Sequence, residues 1–127
     1  RNRLKPKGRA VIQSITIAEE VFARYRQTSD FIREYIFPGG MLAPIPRFIA
    51  DAKKQGLSAG EPYRFGLDYA DTLKWWLQRV NAKANEIKPL GFDEKFLQIW
   101  RFYLCYCEAG FRTGRTDVMQ IELTRES

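Results

Sequence analysis

Apolar residues from Arg9 to Ile17 fall on both sides of an extended segment: Ala10, Val11, Ile12, Ile15 and Ile17. That is the pattern of a strand buried in a parallel or mixed sheet. Ala18 to Tyr25 reads as a short helix with Val21, Phe22 and Tyr25 on one side. Ser29 is placed to cap a second helix bearing Phe31, Ile32, Tyr35 and Ile36, and Pro38-Gly39-Gly40 stops it. A third helix is predicted from Pro44 to Gln55, with prolines in its first turn and Gly56 as its left-handed C-terminal residue. Leu57 to Gly66 reads as a strand interrupted by Gly60 and Pro62, which suits an edge or a bend near a site.

Two longer helices follow. Asp68 or Asp71 can cap the first, which runs to about Lys88 with Leu73, Trp76, Leu77, Val80, Ala84 and Ile87 on one stripe. Pro89 and Gly91 end it. Asp93 caps the second, and Phe92 can fold back on Leu97 as a hydrophobic staple. On that helix Phe96, Trp100, Tyr103, Leu104, Cys107 and Phe111 share a face, widened by Ile99, Phe102 and Tyr106. These aromatics can be core packing or the wall of an acyl tunnel. Asp117 to Thr124 then alternates, with Met119, Ile121 and Leu123 on one face of a half-buried final strand. The fold class predicted is α/β. The order of elements makes about three strands with helical insertions, the second half of a doubly wound, Rossmann-like sheet.

Composition agrees with one ordinary domain: 45% of the 127 residues are hydrophobic and 28% charged, too rich in core formers for a disordered chain. The net charge is +6, and Arg1, Arg3, Lys5, Lys7 and Arg9 supply most of it with no acid among them. This arm can be a solvated loop entering the first strand or a patch that meets anionic lipid headgroups. It carries no interleaved aromatic on which a base could stack, so nucleic acid is not the expected partner. The chain contains no histidine, which removes histidine-based zinc motifs and every triad that uses that residue. Cys105 and Cys107, two apart on a helix, point to nearly opposite sides and read as core filler. No signal peptide and no long uncharged apolar run is evident, which points to the cytosol.

Several runs resemble one family. Gly8 to Ile17 is similar to the strand entered from a glycine turn in class I methyltransferases. Asp30-Phe31-Ile32 with Tyr35-Ile36-Phe37-Pro38-Gly39-Gly40 resembles a segment shared by cyclopropane-fatty-acyl-phospholipid synthases. Phe65-Gly66-Leu67-Asp68-Tyr69 with Thr72-Leu73 and Trp76 does so too, as does Trp100 to Leu104 with Cys107 to Arg112, and Gln120 sits in the expected last strand. The resemblance extends from about residue 8 to 125. It implies that residues 1–127 are the C-terminal part of a single methyltransferase catalytic domain whose S-adenosylmethionine-binding half lies upstream. It also implies methyl transfer to unsaturated acyl chains of membrane phospholipids, from a cytoplasmic position peripheral to the inner face of the membrane. A homodimer is left open. The isolated fragment is expected to be inactive, because the family's glycine-rich loop, acidic ribose ligand, cysteine and glutamate all lie upstream.

The family closes a cyclopropane ring with a bound bicarbonate as base. By resemblance, the tyrosine hydroxyl that holds it falls on Tyr69 and the backbone group on Ile15; without the resemblance, Tyr69 reads as an amphipathic core residue. Many members carry histidine where this chain has Gln13. Glutamine donates a hydrogen bond but neither titrates near neutrality nor carries charge, which leaves a cyclopropane and a simple methyl product both open. The alternative from another class is a non-catalytic lipid- or protein-binding helical module that uses the aromatic helices as a groove.

Overall fold

The computed structural model describes residues 2–126. Strand β1 (Arg9–Ile17) leads into helix α1 (Glu19–Gln27), a π-helical turn over Ile32–Ile36, and helix α2 (Ile45–Lys54). Two short strands follow, β2 (Leu57–Ala59) and β3 (Tyr63–Arg64). Helix α3 (Gly66–Ala82), the short α4 (Ala84–Ile87), a 3₁₀ turn over Lys88–Leu90, helix α5 (Glu94–Arg112) and strand β4 (Thr116–Arg125) complete the order.

β4 is the centre of the sheet. β1 pairs antiparallel along one side of it, from Arg9↔Thr124 to Ile17↔Thr116, while β2 and β3 pair antiparallel along the other. All three pairings are antiparallel, so among the described residues the sheet is antiparallel and not the parallel or mixed sheet that the apolar pattern of β1 predicts; the one parallel contact is an isolated bridge between Thr16 and Ala43. The final strand is half-buried, as its alternation predicts. Met119, Ile121 and Leu123 are buried on one face, while on the other Val118 is buried, Glu122 is partly covered and Gln120 is exposed. The interruption at Gly60 and Pro62 divides one edge strand into β2 and β3.

One face of the sheet receives α3 and α5. Ala70 and Leu73 of α3 meet Leu104 and Phe111 of α5 over Val118, with Tyr69, Trp100, Tyr103 and Cys107 packed around them. Each such large apolar side chain contributes roughly 1.5–3 kcal/mol on burial. The opposite face presents Met119, Ile121 and Leu123, all buried, and Ala52 of α2 is buried as well.

Several local expectations are corrected. β1 is not buried on both faces: its exposure alternates, with Val11 at 68% and Ile15 at 38%, because β4 is its only full-length partner among the described residues. Ser29 caps nothing. Asp30 takes that role, its Oδ1 accepting from the Arg33 N–H at 3.1 Å, and the helix it begins is a π turn closed by Phe37 N–H to the Ile32 carbonyl at 2.7 Å. Neither Asp68 nor Asp71 caps α3; Asp117 of β4 does so from across the fold, its Oδ1 accepting from Gly66 N–H at 2.9 Å. α3 ends at Ala82, short of Lys88, and Phe92 packs on the Phe96 ring at 4.6 Å. Asp93 caps α5 as expected, accepting from Phe96 N–H at 2.8 Å.

The basic arm is tied down from Leu4 to Gly8. Gly8 N–H donates to the Lys5 carbonyl, Lys7 N–H to the Arg125 carbonyl, and Arg125 Nη1 to the Leu4 carbonyl. Arg3, Lys5 and Lys7 remain exposed, and Arg1 lies outside the described residues.

Candidate active site

A cavity of about 660 Å³ opens on the α3–α5 face at the C-terminal end of β1. This is the end of a strand at which α/β sheets place their ligands, and the volume is that of a small-molecule site. Ile15 and Ile17 form its floor. Tyr103, Tyr106, Cys107 and Phe111 of α5 form one wall, and Ile32, Phe37, Met41 and Leu42 of the π turn and its exit form the other. The lining is mostly apolar because the π turn and α5 both direct aromatic and aliphatic groups inward.

The second wall is held by a network with no sequence signature. Arg33 pairs with Asp30, Nε to Oδ2 at 3.2 Å, donates to the carbonyls of Tyr25 and Thr28, and lies over the Tyr25 ring with its guanidinium carbon 4.0 Å from the centroid. The Tyr25 hydroxyl accepts from Leu42 N–H at 3.0 Å. One buried ring thereby ties α1, the π turn and the loop before α2 together. π-helical turns recur at functional sites, but the apolar spacing of Phe31 to Ile36 does not distinguish one from an α-helix.

Ile15, Gln13 and Tyr69 all belong to this face of the sheet. The Val118 carbonyl accepts from Phe65 N–H at 3.0 Å, so Val118 turns its backbone groups away from β1. Its register partner Ile15 then exchanges no bonds with it and turns its own N–H to the outer edge. Ile17, two residues on, follows the same rule and donates to the Ala43 carbonyl at 3.3 Å. The Ile15 carbonyl accepts from Ser14 Oγ, while its N–H points outward as a donor outside the β1–β4 ladder. Tyr69 packs edge-on to Phe65, Trp76 and Phe111 within the cluster over Val118. Its hydroxyl has no hydrogen-bond partner among the described residues. Gln13 faces Gln120, whose Nε2 donates to Gln13 Oε1 at 2.9 Å. Ile15 lines the cavity; Gln13 and Tyr69 are not among its lining residues.

Cys107, expected as core filler, is half-buried and lines the cavity, whereas Cys105 is exposed and belongs to no core. Burial pushes the Cys107 thiol up to about 11, opposed by a hydrogen bond from Tyr103. Burial first, and then the neighbouring Cys107, pushes the Tyr103 hydroxyl up to about 12. Both groups are neutral at physiological pH. With raised folded values, both favour the folded state below the ordinary Cys and Tyr range, and that contribution is lost as pH climbs towards 11–12. Iodoacetamide at neutral pH is accordingly expected to label Cys105 and spare Cys107, with Cys107 labelling rising only under strong alkali. Peptide mass mapping reads this directly, and equal labelling at neutral pH would contradict it.

The family model described as mycolic acid cyclopropane synthetase matches residues 1–121. This chain belongs to that family. Within it, a tuberculostearic acid methyltransferase of Mycobacterium tuberculosis is 40% identical over 125 residues, covering 97% of this chain and 29% of that protein. The cyclopropane-fatty-acyl-phospholipid synthase of Escherichia coli is 30% identical over 122 residues, covering 96% of this chain and 30% of that protein. A solved mycolic acid cyclopropane synthase in complex with SAH and CTAB matches with a TM-score of 0.81 at 28% identity, over 92% of this chain and 44% of that one. The cyclopropane synthase MmaA2 from Mycobacterium tuberculosis matches with a TM-score of 0.83 at 25% identity, over 95% and 45%. The chain therefore spans less than half the length of each of these relatives.

The β1–α1 junction reads Ile17-Ala18-Glu19-Glu20, with two acids and no glycine at the helix start, and Gly39-Gly40 follows a helical turn in place of a strand. No helix among the described residues is long and apolar enough to cross a membrane.

Proposed function

We propose that this chain is the acyl-binding, C-terminal part of a methyltransferase domain that uses S-adenosylmethionine to modify unsaturated acyl chains of membrane phospholipids, in the manner of cyclopropane fatty acid synthases. The observation that carries the reading is the apolar cavity at the C-terminal end of β1, bounded by Ile15, the π turn and α5. S-adenosylmethionine supplies the methyl group; its binding residues belong to the other half of the domain.

What this chain contributes is a dry wall and an anion holder. Tyr103 and Cys107 stay neutral, so the cavity accepts a hydrocarbon chain without burying a charge. The Tyr69 hydroxyl and the Ile15 N–H are two donors not committed elsewhere on this face, the set suited to holding bicarbonate, which when bound supplies a base. Gln13, engaged with Gln120, can add an amide donor in place of the histidine many relatives carry. Ring closure needs that base, whereas a simple methyl product does not, so the product reports on this group of residues.

The enzyme is expected to act from the cytoplasmic side on anionic bilayers. Arg3, Lys53 and Lys54 border one cleft beside the exposed Lys5 and Lys7. Each basic group near an anionic surface contributes about 1 kcal/mol, screened by salt. Incubated with labelled S-adenosylmethionine, the full-length enzyme that carries this chain should label monounsaturated phosphatidylglycerol vesicles and not fully saturated ones. Vesicle binding should fall as salt rises and on neutralising Arg3, Lys5 and Lys7. Equal labelling of saturated and unsaturated lipid would sink the substrate assignment.

A further inference from the structure

We infer that Arg115 makes the cavity selective for amphiphiles whose polar head is anionic, a carboxylate or a phosphate ester seated at the rim. This rests on the acyl-chain reading above and narrows it. Three charged residues line the cavity: Asp30, Arg33 and Arg115. The first two neutralise each other, since Arg33 Nε reaches Asp30 Oδ2 at 3.2 Å and the rest of the guanidinium is spent on the Tyr25 ring and on carbonyls. Arg115 has no carboxylate partner among the described residues. Glu108 and Asp71 both bind Arg112, Asp117 binds Arg64, and Glu19 and Glu20 at the start of α1 form no ion pair with Arg115.

Position adds to charge. Arg115 directly precedes β4 beside the C-terminal end of β1, and its carbonyl accepts from Ala18 N–H at 2.9 Å, which fixes its backbone. Its side chain is exposed, yet it borders a cavity with an apolar interior. The Tyr106 hydroxyl, another lining group, feels both the Asp30 and the Arg115 charges, so these groups share one side of the mouth. An uncompensated guanidinium at the entrance to a hydrocarbon-lined pocket attracts an anionic head, gains nothing from a neutral one and repels a cation.

The test is binding of the protein to amphiphiles that share one monounsaturated chain and differ in head: the fatty acid, the lysophosphatidate, the alcohol and the trimethylammonium. Displacement of a neutral fluorescent fatty alcohol reports affinity. At low salt, at least one anionic ligand is expected to bind on the order of tenfold tighter than the alcohol, between the value of an exposed pair and that of a shielded one. Arg115→Gln should erase that preference and leave the alcohol unchanged, and Arg115→Lys should retain most of it. Preference for the carboxylate alone would assign a free-acid head, and preference for the phosphate a phospholipid. Equal affinity for acid, phosphate and alcohol would overturn the inference, as would a loss in Arg115→Gln that is the same for all four ligands. If no amphiphile binds, the alcohol included, the acyl-chain reading itself fails.

Discussion

In the full-length enzyme, Tyr69→Phe is expected to slow modification of unsaturated lipid by about 10- to 150-fold, the equivalent of one hydrogen bond to a charged group at roughly 1.5–3 kcal/mol. The phenol carries no competing partner among the described residues, so its donor is available to an anion. Removing it should leave the fold intact, because the ring contacts with Phe65, Trp76 and Phe111 survive in phenylalanine. Added bicarbonate should recover part of the rate by mass action if the hydroxyl holds that ion. Gln13→His should move product towards the cyclopropane, since imidazole can titrate near neutrality where the amide cannot. Lipid product analysis by mass spectrometry, run beside a thermal melt, reads both variants. A fully active Tyr69→Phe would show the hydroxyl to be idle and would remove the residue from the site.

The largest stability effect is expected at a junction between α3 and β4. A Cβ on Gly66 would lie 2.5 Å from Asp117 Oδ1 and 3.2 Å from Asp117 Cα, so the carboxylate must move. That carboxylate accepts from Gly66 N–H at 2.9 Å, from Val118 N–H at 2.8 Å and from Arg64 Nε at 2.7 Å. Displacing it leaves two amides at the edge of the core short of an acceptor, at about 1–3 kcal/mol each when fully orphaned. Gly66→Ala should therefore cost about 2–4 kcal/mol and lower the melting temperature by roughly 8–15 °C for a domain of this size. Asp117→Asn keeps an acceptor oxygen and should cost clearly less, whereas Asp117→Ala should approach the glycine variant. A Gly66→Ala protein that melts like the parent would mean the Asp117 cap contributes nothing. The same junction sets the angle of α3, and with it Tyr69, so a structural loss here should also reduce lipid modification.

The sequence by itself determined the elements whose signals are local. The span of β1, the helix over Ile45–Lys54, the Asp93 cap and the alternation of β4 are all written in neighbouring residues, since side-chain period and capping act over one or two turns. The short motifs from Tyr35 to Gly40 and from Phe65 to Tyr69 likewise carried the family resemblance without any coordinates. Only the tertiary structure decided the rest. It made β4 the sheet's centre and left β1 exposed at Val11, because strand order depends on pairings more than a hundred residues apart. It moved the α3 cap from Asp68 or Asp71 to Asp117, and it turned Ile15's amide outward through a register set by Val118 and Phe65. It brought Arg33 under Tyr25 and left Arg115 without an acid at the mouth of the cavity. Hydrophobic period reports which face of an element is buried; it holds no record of which distant polar group will arrive to satisfy a donor, or fail to, once the chain has closed on itself.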